Sequence, residues 1–126
     1  MASIVGTLLH SVHVSRPVFW FITVWLYLVV GGSHYDSSVF GSATFWLGLF
    51  YVTYPLNLLV YAWNDLDDRV VDELNSRKGR YLNGALTTAQ QLWKIFMASI
   101  LLNIGFCVAF VVLCDCGKYD VQDKAA

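Results

Sequence analysis

Three apolar segments dominate this 126-residue sequence, at residues 17–30, 43–63 and 92–114. Hydrophobic residues make up 57% of the chain and charged residues only 13%, which is typical of an integral membrane protein. A hydrocarbon core about 30 Å thick is crossed by about 20 helical residues. We therefore expect an all-α integral membrane protein with three transmembrane helices in a single domain, residues 1–126.

Local signals predict where the three helices begin and end. The first apolar run is too short to cross a bilayer alone, so we expect its helix at about residues 8–31, closing at two glycines. The second is expected at residues 43–63, extending toward 75, with a kink at Pro55. Thr87 with Gln90, or Thr88 with Gln91, has the spacing of a capping box and predicts a third helix at 88–114. We expect a short, frayed polar tail after it.

The charged residues are concentrated in residues 64–80, which read N-D-L-D-D-R-V-V-D-E-L-N-S-R-K-G-R. Asn64, Asp68 and Asp72 recur every four residues, so on a helix they share one face, with Asp65 at its edge. Neighbouring like charges repel, which indicates a cation that neutralises them. Mg²⁺ is the natural candidate, because it prefers oxygen ligands and is often shared with substrate phosphates.

Two cations, Arg77 and Lys78, follow the acidic residues. The Arg guanidinium can bind phosphate oxygens through two parallel hydrogen bonds, and Lys contributes a point charge. The acids and cations together therefore suit a metal-bound diphosphate. A solvated mixed-charge loop at the membrane edge explains the same composition, and the residues alone leave both interpretations open.

Polar residues also occur within and beside the apolar segments. Asn57, Tyr61, Asn64 and Asp68 follow helical spacing and predict a polar stripe on the second helix. Asn57 either hydrogen bonds to another helix or lines a cavity that leads to the metal site. Arg16, before the first apolar run, either extends to the lipid headgroups or reaches a phosphate.

The positions of Lys and Arg predict the orientation in the membrane. The loop between the second and third segments and its flanks carry Arg69, Arg77, Lys78, Arg80 and Lys94, and the loop between the first and second carries none. The positive-inside rule then places the Asp-rich loop and the N-terminus in the cytoplasm. A net charge of −1 gives no indication of a nucleic-acid partner.

The spacing N-x-x-x-D-x-x-x-D after an apolar helix resembles the first aspartate-rich motif of the UbiA superfamily of intramembrane prenyltransferases. Asn64, Asp68 and Asp72 stand at its three fixed positions. The Arg-Pro pair at residues 16–17 resembles the pair that commonly opens the first helix of this family. Residues 75–79, N-S-R-K-G, resemble an N-P-R-K-G continuation seen in some members, with Ser in place of Pro.

The resemblance implies that the chain corresponds to the start of a nine-helix prenyltransferase bundle. Such an enzyme transfers a prenyl group from an isoprenoid diphosphate to a hydrophobic acceptor with Mg²⁺. The catalytic set would be Asn64, Asp68 and Asp72. The two aspartates and Asn64 would hold the metal, with Asp65 a further candidate ligand. Arg77 and Lys78 would bind the diphosphate.

The family also uses a second aspartate-rich motif, which these 126 residues do not repeat. We therefore expect a single truncated membrane domain that is incomplete and inactive alone. It would be a fragment, a truncated product or one piece of a split enzyme, with the remaining helices as partners. The competing hypothesis is a small non-enzymatic membrane protein whose acidic cytoplasmic loop binds a partner or a cation.

Overall fold

The computed structural model describes residues 4–32, 37–70 and 87–123, and within these ranges every regular element is helical. The predicted all-α class is therefore confirmed there. The α-helices in chain order are α1 (Ile4–Val14), α2 (Trp20–Gly32), α3 (Ala43–Thr53), α4 (Pro55–Asp67) and α5 (Ala89–Asp123). Short 3-10 turns occupy Pro17–Phe19 and Ser37–Gly41.

The single helix expected at residues 8–31 is divided in two. Helix α1 ends at Val14, and α2 continues after a bend of 49° between the two helical segments. Arg16 lies at the break with a φ of 50°, in the left-handed region. The physical reason is Pro17, whose ring disfavours the α conformation of the preceding residue. Pro17 then begins the next turn, where its missing N–H is tolerated.

The central segment bends where proline predicted it. Helix α3 ends at Thr53 and α4 begins at Pro55, so the predicted kink is confirmed. Proline has no N–H to donate to the preceding turn, which leaves carbonyl groups without their helical partner. The side-chain amide of Asn57 donates to the carbonyl oxygens of Val52 and Thr53, at 2.8 and 2.9 Å. Asn57 therefore stabilises the break from within the same segment.

Helix α5 begins as predicted and ends later than predicted. The Thr88 and Gln91 backbone N–H groups each donate to the other residue's side-chain oxygen at 3.4 Å, which is the reciprocal pattern of a capping box. We expected the tail to fray after residue 114. Instead, the helix continues to Asp123. Residues 115–123 contain no proline, and one glycine costs only about 1 kcal/mol in a helix that has already formed.

Two helical segments are long and apolar enough to cross a membrane, Ala43–Asp67 and Ala89–Leu113. The bent pair Val5–Val14 and Pro17–Val30 makes a third if it forms one span. Large apolar side chains point outward from these segments, among them Trp25, Leu101 and Val108. An apolar exterior of this kind is compatible with a lipid environment.

The outer helices run antiparallel to the central α3–α4 segment. On one side, the Tyr27 hydroxyl of α2 donates to the Phe45 carbonyl at 3.0 Å. On the other side, α5 packs its aromatic rings against the same segment. Trp63 lies 5.4 Å from Phe96 between ring centroids. The segment that carries the predicted site is thus held from two sides.

The buried apolar core lies close to the acidic end of α4. It joins three helices: Val14 of α1, Leu58 and Ala62 of α4, and Leu92 and Phe96 of α5. Burial of such side chains contributes about 25 cal/mol per Å² of apolar area. This core fixes which face of α4 turns inward, and therefore where the following polar residues point.

Candidate functional site

The described part of the predicted site is the last turn of α4. The helix ends at Asp67, and the Asp68 backbone N–H donates to the Asn64 carbonyl at 2.9 Å. Asp68 has a ψ of 4°, so the helix expected to extend toward residue 75 is interrupted here. Residues 69–70 are helical again. The predicted ligands Asp72, Arg77 and Lys78 lie outside the described residues.

Asn64 and Asp68 form a side-chain pair on the exposed surface. The Asn64 side-chain amide donates to Asp68 Oδ2 at 3.1 Å. Their four-residue spacing predicted a shared face, and the contact confirms it for these two residues. The pair presents oxygen atoms to the surroundings at the end of an apolar segment. Together with the backbone hydrogen bond from Asp68 to Asn64, it joins the two described residues of the predicted motif.

Asp65 points elsewhere. Its side chain is only 2% exposed, on the inner face of α4 that also carries Leu58 and Ala62. The Arg16 guanidinium donates from Nη2 to Asp65 Oδ1 at 2.6 Å. Successive helical residues point about 100° apart, so Asn64 is exposed while the adjacent Asp65 is buried. Asp65 was a candidate metal ligand, and here it has a cationic side chain as partner.

Arg16 contacts α4 in two ways. Besides the ion pair, its guanidinium carbon lies 5.0 Å from the centre of the Tyr61 ring, which is a cation–π geometry. The side chain is 18% exposed, and its guanidinium contacts the inner face of α4. Removing one partner of such a pair leaves a poorly solvated charge, which is costly.

The sequence did not predict the Arg16–Asp65 pair, because 49 residues separate its members. A signal was nevertheless present. Asp65 follows Leu58 and Ala62 at helical spacing, so it is expected on the same face as these apolar residues, and Arg16 borders the first apolar run. A carboxylate on an otherwise apolar helix face is rarely buried without a partner.

Asn57 resolves one of the open alternatives. It is 4% exposed and donates to Thr23 Oγ1 of α2 at 2.9 Å. This contact is an interhelical hydrogen bond, the first of the two roles predicted for it. Farther along the predicted polar stripe, Tyr61 is half-buried and Asn64 and Asp68 are exposed. The stripe therefore begins in the protein interior and ends at the surface.

The chemistry of the described donors fits Mg²⁺, although they do not form a closed site. Among residues 4–32, 37–70 and 87–123, no group of three His, Cys, Asp or Glu side chains could hold a metal ion. Asn64 and Asp68 supply hard oxygen atoms on an exposed surface. Mg²⁺ is commonly held by one or two carboxylates, with water and substrate phosphates completing its shell.

A separate cavity of about 430 Å³ lies toward the opposite end of the central segment. Aromatic side chains contribute much of its wall: Tyr27, Phe45, Tyr51 and Phe110. No charged residue lines it among those described. Tyr51 precedes Asn64 by more than three helical turns, so this cavity is not part of the acidic site.

A scan against protein-family models, a search of curated proteins and a search of solved structures each found no match. In its described ranges the chain is an all-helical protein with two or three segments able to cross a membrane. One of these segments ends in an exposed Asn–Asp pair beside a buried Arg–Asp pair.

Proposed function

We propose that the chain is the N-terminal part of a UbiA-like intramembrane prenyltransferase. Its reaction would transfer a prenyl group from an isoprenoid diphosphate to a hydrophobic acceptor. The observation that supports this most directly is the pairing of Asn64 with Asp68, at 3.1 Å, on the open end of an apolar segment. Those residues are the first two fixed positions of the family motif, and they share a surface that a diphosphate could approach.

In this proposal Asp68 and Asp72 hold Mg²⁺, and Asn64 orients the Asp68 carboxylate through the amide hydrogen bond. Mg²⁺ when bound supplies positive charge for the diphosphate that leaves. Arg77 donates two hydrogen bonds to phosphate oxygens, and Lys78 adds a point charge. These cations offset the combined negative charge of Asp68, Asp72 and the diphosphate.

In this proposal the apolar helices bind the prenyl chain and exclude water from the site. A prenyl chain is apolar, so it partitions beside membrane-spanning segments and not into water. A site that excludes water also protects an allylic cation from hydrolysis. The exposed side of Asn64 and Asp68 is where the remaining helices of the bundle would close the site. The basic residues beside this end favour its placement on the cytoplasmic side.

The test is thermal unfolding of the detergent-purified chain, with Mg²⁺ and a prenyl diphosphate added separately and together. The two ligands together should raise the unfolding temperature by mass action, more than Mg²⁺ alone. Asp68→Asn should abolish the rise. Asp67→Asn is the matched control, because Asp67 is the exposed neighbouring acid outside the motif.

Two results would speak against the proposal. An equal response from Asp67→Asn and Asp68→Asn would mean that the motif spacing has no function. A rise with Mg²⁺ alone that the diphosphate does not increase would favour the non-enzymatic alternative, in which the acidic loop binds a cation.

A further inference from the structure

Polar contacts join α1 and the residues just after it to other parts of the described chain. Arg16, just after α1, pairs with Asp65 of α4 at 2.6 Å. The Ser11 hydroxyl lies 2.8 Å from the Tyr54 hydroxyl, in the break between α3 and α4. His10 Nε2 lies 2.9 Å from Thr87 Oγ1, immediately before α5. The ion pair reaches the turn that carries Asn64 and Asp68.

We propose that Asp65 is a positioning residue and not a metal ligand. Through Arg16 it fixes the rotation of the last turn of α4, so that Asn64 and Asp68 face away from the core. This inference rests on the proposed function, because it concerns the same diphosphate site. It gives the acidic residues two roles: Asp65 holds the helix in position, and Asp68 binds the metal and, through it, the diphosphate.

The geometry of α4 supports this division. Asp65 lies on the face that buries Leu58 and Ala62 against α1 and α5. Rotating α4 about its axis to bring Asp65 toward Asp68's surroundings would break the ion pair and expose that apolar face. On its inner face α4 is held by the apolar core, through Leu58 and Ala62, and by Arg16 through Asp65.

The backbone conformation of Arg16 also supports the inference. Its φ of 50° is an unfavourable conformation for a residue with a long side chain. Two contacts compensate, the carboxylate of Asp65 and the ring of Tyr61. The residue at the bend after α1 is therefore also the residue that contacts the last turns of α4.

Exchanging the two charges tests the inference, because it keeps the pair and removes the carboxylate from position 65. Arg16→Asp places a residue that tolerates positive φ at the bend. Asp65→Arg places a cation near a helix C-terminus, where the helix dipole favours it. The double variant can therefore fold, whereas each single variant puts two like charges together. The readouts are the unfolding temperature and the Mg²⁺ concentration that gives half of the prenyl-diphosphate-induced stabilisation.

Each single variant should unfold at a lower temperature than the native chain and require at least tenfold more Mg²⁺. The double variant should recover both, with a Mg²⁺ midpoint within about threefold of the native value. Such a recovery would separate positioning from metal ligation, since an arginine at position 65 cannot bind Mg²⁺. A double variant that recovers its unfolding temperature but not its Mg²⁺ midpoint would overturn the inference and make Asp65 a ligand.

Arg16→Gln with Asp65→Asn is the second variant, which keeps a hydrogen-bonded pair without charge. If the exchanged pair does not fold, this variant is judged by the same unfolding temperature and Mg²⁺ midpoint. A native chain without any response to Mg²⁺ and prenyl diphosphate would overturn the proposed function, and the positioning role with it. Because the native chain is measured first, this result is distinguishable from a failure of the exchanged variants alone.

Discussion

The side-chain amide of Asn103 donates to the carbonyl oxygen of Pro55 at 3.1 Å, which joins helix α5 to the first residue after the central break. The same amide donates to the Ser99 carbonyl within α5 at 2.8 Å. Asn103 is buried, and its contact mirrors that of Asn57, which donates to carbonyls before the break. The bend at Pro55 is therefore hydrogen bonded from both sides.

Asn103→Ala should destabilise the protein. It removes the interhelical bond and leaves the Pro55 carbonyl buried without that donor. Interhelical hydrogen bonds in membrane proteins contribute about 0.6 kcal/mol on average and up to about 1.7 kcal/mol. We expect a loss in the upper half of that range, measured by unfolding in detergent or lipid micelles. Cys107→Ala, one turn farther along α5 and exposed, is the control and should change little. Equal stabilities would show that the bond to Pro55 contributes nothing.

Gly48→Ala should also destabilise the protein, because the added Cβ would overlap the Tyr27 hydroxyl and ring. Tyr27 is held by its hydrogen bond to the Phe45 carbonyl, so either that bond would break or helices α2 and α3 would move apart. Overpacking of this kind costs about 1–3 kcal/mol. Gly105→Ala is the matched control in α5, where the Cβ meets nothing within 4 Å. It should be neutral or stabilising, since alanine has the higher helix propensity. A Gly48→Ala variant as stable as Gly105→Ala would contradict the close packing of α2 on α3.

The helical class and the two long segments were predictable from the sequence, because apolar length and capping residues are local properties. Pro55 predicted its own kink, and Thr88 with Gln91 predicted the start of α5. The bend at Arg16 was less evident. The residue before Pro17 was recognisable, but an arginine at positive φ depends on a contact with Asp65 that is remote in the sequence.

The division of the acidic residues was not predictable either. Helical spacing relates Asn64, Asp65 and Asp68 to one another, but it does not say which side of α4 faces the core. Packing by Val14 and Phe96 decides that, and both belong to other helices. The pairing of Asn64 with Asp68 followed from spacing, because the two residues are about one helical turn apart. The role of Asp72 remains a sequence prediction, since it lies outside the described residues.

The orientation of the acidic loop can be tested by labelling. The concentration of Arg and Lys on this side predicts that it faces the cytosol. Asn83→Cys, in a background without the three native cysteines, should resist an impermeant thiol reagent added to intact cells. Labelling should appear once the cells are permeabilised. Rapid labelling of intact cells would reverse the predicted topology.

The 126-residue chain alone should give no product. The N-x-x-x-D-x-x-x-D spacing occurs once in this sequence, and under the proposed function a second acidic motif is needed to share the diphosphate. The assay combines Mg²⁺, labelled prenyl diphosphates of several lengths, and quinone-precursor, lipid and carotenoid acceptors. Metal-dependent product that disappears in Asp68→Asn would show that these helices suffice, and would contradict the expected incompleteness.

Direct binding of a labelled prenyl diphosphate tests the central claim without requiring turnover. Equilibrium dialysis of the detergent-purified chain should show saturable binding with Mg²⁺ and little binding when the metal is chelated. Asp68→Asn and Asn64→Ala should each weaken binding at least tenfold, whereas Asp67→Asn should bind like the native chain. Binding that is equal with and without Mg²⁺, or unchanged by Asp68→Asn, would contradict the assignment of this acidic turn to a diphosphate site.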